Sequence, residues 1–140
     1  MNTVIRKTDV DNIDMEVIKE AGDVIRHGGL VAFPTETVYG LGADGMDEKA
    51  AAKIYAAKGR PSDNPLILHI ADIKALEGIV SDIPDKAKLL MDKFWPGPIT
   101  VILKKCKNVP YETTAGLDTV AVRMPLSIHH HFFQSSARNV

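Results

Sequence analysis

The sequence predicts an α/β protein built on a mixed sheet, and three features lead there. Short apolar runs of strand length alternate with longer helical segments, Gly and Pro punctuate the junctions, and no linker, repeat or low-complexity tract divides the chain. The 140 residues suit one domain, able to remove roughly 65–70% of its unfolded surface from water. One βαβ repeat does not explain the order of elements, so parallel and antiparallel pairings are both expected.

In chain order, Thr3–Lys7 is expected as a short strand. A helix from about Asp11 follows, with Ile13, Val17, Ala21, Val24 and Ile25 roughly on one face, Asp11 or Asn12 as its cap and Gly28-Gly29 as its end. Leu30–Phe33 reads as a buried strand that Pro34 stops. Asp47 caps an Ala-rich helix that runs through Ala57 and closes at Gly59. Leu66–Ile70 is a strand entered through Pro65, and helical stretches near Asp72–Val80 and Pro84–Phe94 come next, with Pro84 in a first-turn position. Trp95-Pro96-Gly97-Pro98 cannot continue a helix, because two prolines fix the backbone and remove donors. Ile99–Lys104 and Thr119–Arg123 read as two more strands. From Leu126 onward the pattern loses both periods, so residues 1–125 are taken as the domain and 126–140 as an atypical tail.

Composition narrows the functions. Seventeen Lys+Arg against eighteen Asp+Glu leave a net charge of -1, which argues against a protein built mainly to coat nucleic acid. The single cysteine, Cys106, cannot form an internal disulfide, and a reducing cytoplasm fits it. No run of about 18 apolar residues occurs, so no membrane span is expected.

The residues with chemical potential lie mostly between Phe33 and His69, a segment that reads as the pocket of an enzyme handling a small anion together with a nucleotide. Pro34–Gly42 carries Thr35, Glu36, Thr37 and Tyr39 beside two glycines where a buried strand ends; it is either a ligand loop or a turn whose hydroxyls satisfy local backbone. Lys58-Gly59-Arg60-Pro61-Ser62-Asp63-Asn64-Pro65 places two cations and an amide in a proline-fixed loop, suited to phosphate oxygens; Lys58 also has a structural reading as a cation at a helix C-terminus. His69 shares a strand face with Ile67, and Thr119 shares one with Arg123, because side chains alternate along a strand. Arg123, at a strand end, can clamp a carboxylate or sit in a surface ion pair. His129, His130 and His131 diverge as neighbours and have no partner ligands at recognisable spacing, so no metal site is assigned. Walker-type and Rossmann glycine motifs are absent.

These segments together resemble the YrdC-like family (Sua/YciO/YrdC), whose members make threonylcarbamoyl-adenylate. The matching stretches are Gly28-Gly29-Leu30-Val31-Ala32-Phe33-Pro34-Thr35-Glu36-Thr37-Val38-Tyr39-Gly40-Leu41, Lys58-Gly59-Arg60-Pro61 with Asn64-Pro65-Leu66, Trp95-Pro96-Gly97-Pro98, and Ala115-Gly116-Leu117-Asp118-Thr119-Val120-Ala121-Val122-Arg123-Met124-Pro125, in the family's order. The resemblance implies a twisted, mostly open mixed sheet flanked by helices. It implies an L-threonylcarbamoyladenylate synthase, a nucleotidyltransferase that converts L-threonine, bicarbonate and ATP, with Mg²⁺, into threonylcarbamoyl-AMP and pyrophosphate. A transferase partner system then modifies tRNA. On this resemblance Thr37, His69, Arg123 and Tyr39 meet threonine, Arg60, Asn64 and Thr119 meet ATP, and Lys58 with Arg60 stabilises charge during catalysis.

The resemblance stops after Pro125, where the family continues through a helix and strand to a Ser-x-Asn loop. Ser136-Ala137-Arg138-Asn139 stands at the wrong distance for that loop, so a truncated or altered chain lacking the C-terminal part of the fold is expected, with weak ligand binding alone. Two other classes remain: a tRNA- or double-stranded-RNA-binding module using Lys58, Arg60, Lys104, Lys105 and Lys107, and a regulatory or hydrolase-like domain acting on another carbamoylated substrate.

Overall fold

A computed structural model describes residues 2–9, 11–34 and 38–126. Thr37 and the tail from Ser127, with its three histidines, lie outside the described residues.

Helix α1 (Met15–Arg26) begins about four residues later than expected, because Asp14 rather than Asp11 or Asn12 caps it. The Asp14 carboxylate accepts the backbone N–H of Glu16 at 3.0 Å and of Val17 at 3.4 Å, two donors that the helix cannot satisfy internally. Asp14→Ala is expected to cost about 1 kcal/mol of unfolding free energy in a urea titration, and an unchanged midpoint would show that the cap contributes nothing. The buried stripe is Ile18, Gly22 and Ile25, packed toward Phe33, with Ile13 and Ala21 at its margin. Val24 of the expected face is exposed. Stripes starting at 17 and at 18 are equally helical, so packing decides between them.

Strand β1 (Val31–Pro34) pairs antiparallel with β2 (Tyr39–Gly42), from Val31 opposite Gly42 to Pro34 opposite Tyr39. Pro34 therefore ends the strand from within, a position at which its missing N–H is tolerated. Helix α2 (Glu48–Lys58) follows the sequence expectation closely: Asp47 caps it, and Gly59 closes it in the left-handed conformation at φ 58°. Its buried Ala50 and Ile54 join Ala43, Leu30, Leu41 and Leu66 in a small apolar cluster.

The second half builds the larger core. Strand β3 (Ile67–His69) lies parallel to β5 (Thr119–Arg123), and β4 (Thr100–Lys104) lies antiparallel on the other side of β5. The sheet is thus mixed, as expected, although β1 and β2 form a separate pair from it among the described residues. Between β3 and β4 come a 3-10 helix (Ile73–Gly78) and helix α3 (Asp85–Phe94). The first is tighter than the expected α-helix. Gly78 is a poor helix former, and Leu76, Ile79 and Val80 are all drawn into the core just where it ends. Pro84 stands just before α3 as its cap. A one-turn helix α4 (Tyr111–Thr114), not evident from the sequence, precedes β5.

One face of the three-stranded sheet is closed. Leu68, Val101, Leu103, Val120 and Val122 pack there against Leu76, Ile79, Met91 and Trp95. The opposite face is not covered by any element described above.

No strand forms at Thr3–Lys7. Val4 and Ile5 are exposed, and Arg6 ties the segment to α1 through a two-bond ion pair with Glu20 at 2.8 and 2.9 Å. Among the described residues, no helix is long and apolar enough to cross a membrane.

Candidate functional site on the open sheet face

Pairing across the three strands arranges the open face in rows. His69 stands opposite Arg123 in the parallel pair, and Arg123 stands opposite Thr100 in the antiparallel pair. Paired residues project to the same face, so His69, Arg123 and Thr100 form one polar row at the end of the sheet. The next row is apolar, made of Ile67, Ala121 and Ile102, with Ile102 68% exposed. Beyond it Thr119 pairs with Lys104, and both are exposed. Sequence parity alone places His69 with Ile67 and Thr119 with Arg123; the register adds that all four share one surface.

Arg123 is steadied from the side. Its Nε donates to the Gly97 carbonyl at 3.4 Å, a weak bond, while Gly97 N–H donates to Met124 O at 2.8 Å. The Trp95–Pro98 turn therefore clips onto the end of β5. A Cβ at Gly97 would overlap the Phe94 carbonyl oxygen, so the turn accepts glycine alone. Trp95 anchors the other side, buried and donating from Nε1 to Ile99 O at 2.7 Å.

Lys58 is the exposed last residue of α2, and Arg60 and Asn64 sit on the exposed loop that leads from it to β3. Tyr55, which sequence reasoning passed over inside the Ala-rich helix, organises that loop. Its hydroxyl donates to Asn64 O at 3.0 Å, and its ring is buried. Burial pushes the Tyr55 phenol above its usual 10.0, the nearby Arg60 pulls it down, and Asp63 pushes it up again. An acid with a raised folded pKa contributes its stability below the unfolded value and loses it as pH rises through the folded one. The Tyr55–Asn64 bond should thus outlast the pH at which an ordinary phenol ionises and fail only as pH rises through the raised folded value. Tyr55→Phe is expected to cost about 1 kcal/mol, measured by denaturation at neutral pH, and the gap from wild type should narrow in strong alkali.

The approach to Thr119 is fixed by a second cluster. Lys105 is buried: its Nζ donates to Val109 O at 2.6 Å and lies 3.6 Å from the centre of the Tyr111 ring. Tyr111 in turn donates its hydroxyl to Asp118 at 2.9 Å, and that bond is the main cause of its raised pKa. Lys105 consequently leaves the group of lysines expected to meet RNA, since its charge is already engaged inside the fold. Lys104 and Lys107 remain exposed.

The predicted residues are thus only partly brought together. His69 and Arg123 are direct neighbours across strands, and Thr119 lies farther along the same face. Tyr39, 76% exposed, belongs to the β1–β2 pair. Among the described residues, surface hollows occur elsewhere, one along α1 near Glu20 and His27 and one between Asp44 and Asn108. The second includes Lys107, one of the lysines expected to meet RNA, and neither includes a residue predicted to meet threonine or ATP. No group of three or more His, Cys, Asp or Glu residues able to hold a metal occurs among the described residues.

Comparison with known proteins adds an independent line. The Sua5/YciO/YrdC family model, described as "Telomere recombination", matches residues 23–139. The chain is 56% identical over 115 residues to a threonylcarbamoyl-AMP synthase of Pyrococcus abyssi, covering 82% of this chain and 34% of that protein. It is 57% identical over 110 residues to a threonylcarbamoyl-AMP synthase of Bacillus subtilis, covering 77% and 32%. The crystal structure of P. abyssi Sua5 complexed with L-threonine matches with a TM-score of 0.88 and 52% identity over 91% of this chain and 38% of that one. The chain spans about a third of the length of these curated relatives.

Proposed function

The chain belongs to the Sua5/YciO/YrdC family, and from that premise we propose that it binds L-threonine and ATP on the open sheet face for the synthesis of threonylcarbamoyl-AMP. The observation that carries this reading is the pairing of His69 with Arg123 on that face, in a chain similar to a protein crystallised with L-threonine.

The chemistry follows from what each side chain offers. The Arg123 guanidinium takes the threonine carboxylate, a planar fork on a planar anion. His69, one strand away, takes the amine. The neutral amine nitrogen adds to the carbon of bicarbonate-derived carbon dioxide and loses a proton to give a carbamate, the proton combining with the hydroxide left by bicarbonate to form water. A carbamate oxygen then attacks the α-phosphorus of ATP, and the bond to the leaving pyrophosphate breaks. No protein nucleophile is needed, so the residues act by positioning and charge stabilisation. Lys58 and Arg60 neutralise phosphate oxygens, while Asn64 and Thr119 hold the nucleotide. Thr37 and Tyr39 complete the threonine end in this reading. Magnesium would enter with ATP as part of the nucleotide substrate, held largely by phosphate oxygens and water. A cytoplasmic reaction feeding a tRNA-modifying transferase belongs to the same proposal.

Calorimetric titration with L-threonine, then with ATP, tests it. Saturable threonine binding that ATP strengthens supports the assignment, as does pyrophosphate release dependent on threonine. Salt-sensitive binding of double-stranded RNA with no response to threonine would replace it by the RNA-binding reading.

A further inference from the structure

We infer that Thr100 is a specificity-determining residue that reads the side-chain hydroxyl of the bound amino acid. The inference rests on the threonine-binding reading above and goes beyond it, to the group that tells threonine from an amino acid of the same shape without a hydroxyl.

Three observations carry it. Thr100 stands directly opposite Arg123 on β4, as His69 does on β3, so the central guanidinium is flanked by one polar side chain on each side. Neighbouring strands lie about 4.7–4.9 Å apart, which is within the reach of a single small amino acid whose carboxylate is on the middle strand. Second, the Thr100 side chain is half-buried, and its hydroxyl makes no hydrogen bond to any described residue. A hydroxyl both donates and accepts, so it can meet another hydroxyl in either sense. Third, the next residue of β4 on the same face is Ile102, largely exposed, which offers an apolar surface beside that hydroxyl. A β-carbon bearing one hydroxyl and one methyl matches a wall of one hydroxyl and one aliphatic group. With the carboxylate on Arg123 and the amine toward His69, the ligand's side chain is left facing Thr100 and Ile102.

The test is a set of calorimetric titrations of the 140-residue chain with L-threonine and with L-2-aminobutyrate, which keeps the carbon skeleton and lacks the hydroxyl. The unsubstituted chain should prefer L-threonine by about fivefold to tenfold, the range of one neutral hydrogen bond at a partly open site. Thr100→Val, an isostere equally suited to a strand, should erase that preference and leave affinity for L-2-aminobutyrate unchanged. Thr100→Ser should keep the preference. A Thr100→Val protein that still discriminates, or that loses affinity for both ligands equally, overturns the assignment while the threonine site survives. An unsubstituted chain that binds threonine with no preference does the same. Absence of any threonine binding overturns the underlying reading and this assignment together.

Discussion

Arg123→Ala is expected to weaken L-threonine binding by about a hundredfold, because a charge-assisted, two-pronged contact to the carboxylate is removed. Isothermal titration reads the loss directly. The substitution also removes the Nε bond to the Gly97 carbonyl, long at 3.4 Å, from a side chain on the open face. Equal melting temperatures for the two proteins would confirm that the effect is local. Arg123→Lys keeps the charge and loses the fork, so it should recover only part of the affinity. Unchanged binding in Arg123→Ala would remove the sheet face from consideration as the amino-acid site.

The largest effect on stability should come from Trp95→Ala, at about 3–5 kcal/mol in a denaturant titration. Trp95 is buried at the end of α3, packs in the main core and supplies the donor that satisfies the Ile99 carbonyl. Trp95→Phe retains much of the ring volume and leaves that carbonyl without its donor, so a loss of about 1–3 kcal/mol is expected instead. A loss below about 1 kcal/mol for alanine would mean that the site collapses around the missing ring. The two substitutions also touch the site, since the turn that follows Trp95 holds the carbonyl facing Arg123.

Local signals in the sequence were sufficient for some elements and not for others. Helix α2 was legible because Asp47 and Gly59 each act on the nearest turn of backbone, and β5 because an alternating run ends at a Met-Pro step. Thr3–Lys7 carries a strand-like composition, yet Val4 and Ile5 find no ladder and stay exposed. A strand pattern without a partner strand is only a pattern. Strand β2 failed in the opposite way: Tyr39-Gly40-Leu41-Gly42 looks like a ligand loop, and only its pairing with β1 makes it a strand. Within the site, parity along each strand was readable and register between strands was not. Hence Arg123 and Thr119 were placed on one face from sequence, while the alignment of His69, Arg123 and Thr100 required the fold. Lys105 was misread because nothing local shows that a lysine between Lys104 and Cys106 turns inward to a carbonyl and a phenol ring.

The parallel pairing of β3 with β5 has a consequence for the growing chain. His69 can meet Arg123 only after the 3-10 helix, α3, β4 and α4 have all been made, since a parallel partner must wait for its crossover. At a synthesis rate of about 5–20 residues per second, β3 stands with its N–H and C=O groups unpaired for several seconds, with the partly exposed Ile67 beside them. Such long-range closure slows folding and leaves a strand edge open to other chains or to a chaperone. A small ligand held by both strands stabilises the finished sheet by mass action and gives no shelter to the chain that is still assembling it.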